Sequence, residues 1–200
     1  MGNQSSVQAS LSAGARYRLV SQEDEDTLTN DAAASELLKD FTRQAPVIVR
    51  SSREIQEVKK TLDVSGETFC VVINRNDEVV GIVTLKDLIG SWPMSLANQR
   101  GSTIADIVAR DIMRPVWRLP TIELGKLQDL KIDELITIFK GLHSDYLLVM
   151  DTVAVGAEEQ VICGLLSADE LSRRLGIRVT PDPGPGSFSD IVHAVRKNPG

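Results

Sequence analysis

The sequence predicts an α/β (α+β) fold: tandem β-α-β-β-α repeats packed as a pseudo-twofold pair. Three observations lead there. The order strand, helix, hairpin, helix runs once from Pro46 and again from Pro115. Each pass closes on the same strand-to-helix junction, glycine-x-x-hydroxyl-x-x-acid, at Gly81, Thr84 and Asp87 and again at Gly164, Ser167 and Glu170. Finally, a unit this small cannot cover its own sheet, so its twin must.

Residues 1–43 read as a flexible acidic leader. It is rich in Ser, Gln, Ala and acids, carries the run Glu23-Asp24-Glu25-Asp26, and allows one short helix over Asp31–Gln44 with Leu37, Leu38 and Phe41 on one side. Residues 44–110 form repeat 1 with a linker helix. Pro46–Val49 is a β-branched strand, and the next segment is a helix capped by Ser51 or Ser52 with Ile55, Val58 and Leu62 on one face. Thr68–Asn74 and Val79–Leu85 make a hairpin around the polar turn Arg75-Asn76-Asp77-Glu78, and a helix starts near Lys86. The linker Ser102–Met113 carries an apolar stripe and reads as a helix.

Residues 111–178 form repeat 2. Its strand is expected at Pro115–Leu119, and its helix places Ile132, Leu135, Ile136, Phe139 and Leu142 at helical spacing. The hairpin strands are Asp145–Asp151 and Val161–Ser167, and the last helix, from Ala168, closes on Gly176. In residues 179–200 a Pro/Gly linker, Thr180–Ser187, precedes a short amphipathic helix with Phe188, Ile191, Val192 and Val195 on one face, which is expected to dock back on the body.

Composition narrows the function classes. Hydrophobic residues make up 42% and charged residues 25%, enough for a core. A net charge of −6 argues against a nucleic-acid surface. No apolar run is long enough to span a bilayer. Met1-Gly2-Asn3-Gln4-Ser5-Ser6 fits a pattern for acylation of Gly2, but the pattern is short and one acyl chain holds a membrane only marginally, so a membrane partner is not expected. Cys70 and Cys163 lie in apolar strands without metal or disulfide spacing and predict buried thiols in a cytoplasmic protein.

The junction residues admit two readings. A hydroxyl with an acid three residues on is a capping box, and Ser167 with Glu170 meets that definition outright. Alternatively, the N-cap hydroxyl and open N–H groups suit a phosphate, the acid suits two vicinal ribose hydroxyls, and Gly81 lets a flat ring approach the strand.

The two copies, with Gly81–Leu88 closing the first, Asp111–Val116 opening the second and Gly164–Leu171 closing it, resemble a cystathionine-β-synthase (CBS) domain pair, or Bateman module, over residues 44–178. The resemblance implies a regulatory module that binds an adenosine-containing ligand (AMP, ADP, ATP or S-adenosylmethionine) between the repeats and forms a homodimer. It places the phosphate-side hydroxyl on Thr84, with Ser167 matching, and the ribose carboxylate on Asp87. Glu170 departs from the usual aspartate, so the Thr84–Asp87 cleft is the expected nucleotide site. Base contacts would come from Val47 and Ile48 after Pro46, and from Val116 beside Trp117. Lys86 is the first candidate for a cationic phosphate partner, and Arg50, Arg53 and Arg114 are further ones.

An enzyme is not expected. His143 and His193 stand apart from other ligand-type residues, no nucleophile or P-loop motif occurs, and Cys163 has an apolar strand setting. No cofactor is required by this reading. The regulated target would be another, unidentified protein. The competing expectation is a structural or interaction module that binds no ligand and acts through dimerisation and its tails.

Overall fold

The computed structural model describes residues 28–155 and 157–181. Gly2, the acidic run Glu23–Asp26 and the amphipathic segment Phe188–Asn198 lie outside the described residues.

A 3-10 turn, Ala34–Leu37, leads to strand β1, Lys39–Asp40. Repeat 1 follows as β2 (Ile48–Arg50), α1 (Ile55–Ser65), β3 (Phe69–Ile73), β4 (Val79–Thr84) and α2 (Leu85–Ile89). Helices α3 (Trp92–Arg100) and α4 (Ala109–Ile112) lead to β5, Arg114–Pro115. Repeat 2 is β6 (Thr121–Glu123), α5 (Leu124–Asp129), α6 (Ile132–Gly141), β7 (Tyr146–Val155), β8 (Ala157–Ser167) and α7 (Ala168–Leu175).

The strands make two four-stranded mixed sheets, ordered β2-β3-β4-β5 and β1-β8-β7-β6. Each has one parallel pair at an edge, β2 with β3 and β6 with β7, and is otherwise antiparallel. Their outer strands are exchanged. β1 precedes repeat 1 yet pairs with β8 of repeat 2, and β5 precedes repeat 2 yet pairs with β4 of repeat 1. Both exchanges meet a glycine, Gly164 opposite Asp40 and Gly81 opposite Pro115.

Side-chain periodicity explains the layers. α1 turns Ile55, Val58 and Leu62 onto the outer face of the first sheet, where they bury with Val49, Cys70, Val72 and Val83. α6 does the same with Ile132, Leu135 and Phe139 over Leu147, Val149 and Leu166. The inner faces meet in a seam of Phe69, Val71 and Ile82 against Tyr146, Leu148 and Leu165. The register shifts by one residue at Val72/Ile73 and at Val149/Met150, which leaves Val80 and Cys163 as the extra residues and turns each toward the outer core.

Four expectations are corrected. The helix expected over Asp31–Gln44 is one 3-10 turn and β1, because the chain at Lys39 is extended by its bonds to β8. Pro115–Leu119 is not the opening strand of repeat 2. Only Arg114–Pro115 is extended, it edges the first sheet where a residue lacking an N–H is tolerated, and Val116–Arg118 is a 3-10 turn. The opening strand is β6, five residues on from Val116, and pairs in parallel with β7. Neither Ser51 nor Ser52 caps α1. Its N-cap is Glu54, which bridges Val108 while the Ile55 N–H donates to the Ile107 carbonyl. That bridge also breaks the expected linker helix into a 3-10 turn, Ile104–Asp106, and α4, because Val108 must be extended to pair.

Candidate functional site

At the first junction β4 runs straight into α2. The Thr84 hydroxyl accepts from the Asp87 N–H at 3.1 Å and donates to Asp87 Oδ2 at 2.7 Å, while the Thr84 N–H donates to the same oxygen at 3.1 Å. This is a complete capping box, and Thr84 is fully buried. Arg114, carried in by the exchanged strand β5, then takes what remains of the carboxylate. Its Nη2 donates to Asp87 Oδ1 at 2.9 Å and its Nε lies 3.3 Å from both oxygens. The guanidinium also sits 5.6 Å from the Tyr146 ring centre, over a residue of the other repeat. Burial opposes its charge, but hydrogen bonding and the attraction of Asp87 outweigh that and hold the Arg114 pKa above its ordinary value.

The second junction is built on the same backbone and closed differently. Ser167 is the N-cap of α7 but makes no side-chain cap bond. Glu170 turns along the helix to Arg173, with Nη2 to Oε1 at 2.7 Å and Nε to Oε2 at 3.0 Å. The longer side chain therefore leaves the box that its sequence spelled out, and the capping box forms at Thr84–Asp87 instead. Lys39 is the residue equivalent to Arg114. It lies 5.2 Å from the Phe69 ring centre, as Arg114 lies over Tyr146, but its ammonium pairs with Glu67 rather than with the junction acid.

The glycines serve chain crossing. A Cβ on Gly81 would stand 2.5 Å from the Arg114 carbonyl oxygen, and one on Gly164 would stand 2.5 Å from Leu38 Cδ1 and 2.8 Å from the Lys39 carbonyl. The space over Gly81 expected to admit a flat ring thus holds the exchanged strand.

Two cavities follow one another along the seam. The first, about 540 Å³, is the more polar of the two, and is lined among others by Ser167, Glu170, Lys39, Thr68 and Phe69. The second, about 400 Å³, is apolar, and is lined among others by Ile48, Val116, Phe41, Val71 and Ile162. They are neighbours by register: Phe69 and Leu165 line the first, Val71 and Ile162 the second, along the same two strands. Both volumes are of ligand-site size.

The expected residues divide accordingly. Ser167 and Glu170 line the polar cavity, and Ile48 and Val116 the apolar one. Thr84, Asp87 and Gly81 line neither cavity, and Val47 packs outward against the core beneath α1. Lys86 pairs with Asp169 at 2.6 Å, each being the second residue of its helix, so the two meet across the pseudo-twofold axis. Arg50 pairs with Asp77 and Arg53 with Glu57. Trp117 is 72% exposed and outside the core. Lys39, Phe41, Thr68 and Phe69 were not anticipated. For Lys39 and Phe41 the signal is a repeat within the repeat: Leu37-Leu38-Lys39-Asp40-Phe41 parallels Ile112-Met113-Arg114-Pro115-Val116, with apolar, apolar, basic, any and apolar positions in register.

Among the described residues no group of His, Cys, Asp and Glu could hold a metal ion, and no helix is long and apolar enough to cross a membrane.

Against known proteins, the family model that matches is the CBS domain, over residues 38–92. No curated protein matches in sequence. Solved structures with a similar course include an uncharacterized conserved protein from Pyrococcus horikoshii, at 20% identity and TM-score 0.49, covering 72% of this chain and 92% of that one. CBSX2 in complex with AMP shows 19% identity and TM-score 0.46, covering 70% and 93%. The CBS-pair protein CBSX2 from Arabidopsis thaliana shows 17% identity and TM-score 0.44, covering 85% and 99%.

Proposed function

We propose that this chain, which carries a CBS domain over residues 38–92, is a regulatory module that binds an adenosine-containing ligand in the seam between its repeats and signals through a homodimer. The observation that carries this reading is the paired cavity. An adenosine phosphate is polar at one end and flat and apolar at the other, and the seam is graded the same way, from Ser167 and Glu170 to Ile48 and Val116. The uncapped Ser167 hydroxyl and the N–H groups of Asp169 and Glu170 in the first turn of α7 suit phosphate oxygens, the Ala168 N–H being donated to the Asp145 carbonyl. Arg173 and Arg174 line the cavity beside the Lys39–Glu67 pair, Glu170 is an acceptor for ribose hydroxyls, and the apolar walls suit a base. The ligand is AMP, ADP, ATP or S-adenosylmethionine, and the dimer transmits its binding to a separate target protein. Transmission requires that the ligand bind two dimer geometries with different affinity.

Calorimetric titration of the purified, ligand-stripped protein with AMP, ADP, ATP and S-adenosylmethionine tests this. A saturable heat from one of them, lost in the double variant Ser167→Ala/Glu170→Ala, is expected. Silence across the panel from a folded protein overturns the reading.

A second reading draws on repeat 1. Every acceptor of Asp87 is engaged by Thr84 and Arg114, an arrangement suited to a structural module that acts through dimerisation and its tails. It expects no nucleotide heat, and loss of stability alone in Asp87→Ala.

A further inference from the structure

The two repeats use equivalent cations for different ends: Lys39 pairs with the loop acid Glu67 and Arg114 with the junction acid Asp87. Lys39 and Arg114 occupy the same place in their exchanged strands, each over the aromatic residue that begins the hairpin of the repeat facing it. Beside Lys39 the loop before β3 supplies Glu67, which takes the ammonium, while Glu170 lines the cavity paired with Arg173. The equivalent position before β7 is Ser144, whose hydroxyl is turned to the Tyr146 backbone. Asp145 in the same loop adds attraction for the Arg114 charge, but the guanidinium takes its hydrogen bonds to the junction acid Asp87. That carboxylate is only 17% exposed, and the guanidinium that closes it is clamped on its far side by Tyr146.

We infer that Arg114 is a built-in occupant of the Thr84–Asp87 half-site, so that the module takes one nucleotide per chain, at Ser167 and Glu170, and that trimming Arg114 opens a second place. This rests on reading the seam as a nucleotide cleft. The five-residue helix α2 is too short to hold an anion by its own terminus, so the second place would be made by the Asp87 carboxylate, the Thr84 hydroxyl and the uncovered Tyr146 ring. The three groups match what a nucleoside presents: vicinal hydroxyls for the acid and a flat ring for the phenol.

The experiment is AMP stoichiometry by calorimetry on the wild-type chain, Arg114→Met and Arg114→Met/Asp87→Ala, with each variant checked for a native melting transition. Methionine keeps the aliphatic stem and removes the guanidinium that covers Asp87 and the Tyr146 ring. Ser144→Glu serves where Arg114→Met fails to fold, because it offers the guanidinium a loop acid as Glu67 does for Lys39. The expected result is one AMP per chain in the wild type, two in Arg114→Met or Ser144→Glu, and one again in the double variant. A wild type that binds none while Arg114→Met binds one, dependent on Asp87, sustains this inference and overturns the reading of the Ser167 cleft. One AMP in both wild type and variant overturns the inference alone. Loss of binding in Arg114→Met makes Arg114 a ligand contact and overturns it as well. No binding in either sinks both.

Discussion

The two junctions share a backbone and part company at their acids. In repeat 1 the short Asp87 folds back onto Thr84 and is locked by Arg114 from the exchanged strand, so the helix start is braced from three directions. In repeat 2 the longer Glu170 leans along α7 to Arg173, Ser167 caps nothing, and a cavity opens where the brace would stand. The difference teaches that a motif's role is set by what the rest of the chain delivers to it. The same spacing makes a brace where Arg114 meets Asp87 and a cleft where Arg173 takes Glu170.

The largest test of this comparison is in the cores. Phe139 and Leu62 hold equivalent places under α6 and α1, both essentially inaccessible. Phe139→Ala should cost about 4 kcal/mol and Leu62→Ala about 3 kcal/mol. Because each sheet borrows a strand from ahead of the other repeat, urea unfolding of either variant should remain one transition with a lowered midpoint. Two separated transitions would show that the repeats are independent. Next come the crossing glycines. Gly81→Ala drives a methyl into a backbone carbonyl and should cost about 3 kcal/mol, and Gly164→Ala, where part of the obstacle is the movable Leu38 side chain, about 2 kcal/mol.

A sharper contrast is expected at the acids. Asp87→Ala removes a cap and leaves Arg114 half-buried without its partner, for a loss of about 2 kcal/mol. Glu170→Ala removes a largely exposed pair within one helix and should stay within about 0.5 kcal/mol. Equal losses in thermal melts would refute the brace-and-cleft distinction.

The smallest effect at neutral pH belongs to Tyr146, which is Phe69 in the other repeat. Burial first, and the nearby Asp169 charge second, push its pKa to about 12, and burial pushes Cys70 to about 12 as well. Both groups are neutral when protonated. Unfolded, they release protons at their ordinary values of 10.0 and 9.0, so the fold holds protons that the open chain loses. Stability is therefore full below about pH 9 and declines as pH rises toward 12. Tyr146→Phe should raise the alkaline unfolding midpoint while leaving the melt at pH 7 nearly unchanged.

Much of the architecture was legible because it is periodic. Ile55, Val58 and Leu62, and Ile132, Leu135 and Phe139, mark their helices by spacing alone, and the hairpin strands announce themselves as apolar runs. What escaped were the elements too short to have a period. A two-residue strand such as Lys39–Asp40 exists only because β8 offers a partner, and Arg114–Pro115 is a strand of the first sheet although it reads as the start of the second. The site was legible in its residue types and misjudged in its pairing. From spacing alone Ser167–Glu170 is the better capping box, and only the arrival of Arg114 at Asp87, with Arg173 at Glu170, reverses the two roles.

The exchanged strands also impose an order in time. A ribosome releases β5 after its partner β4, so that edge of the first sheet can close as it emerges. β1 has no such luck: Lys39 must wait for Leu165, with almost the whole body synthesised between them. For most of synthesis the nascent chain therefore carries an unmatched ribbon of apolar residues, Leu37, Leu38 and Phe41, interrupted by one positive and one negative charge. Lys39 and Asp40 are well placed to keep that ribbon from pairing with a neighbouring chain before its own partner arrives.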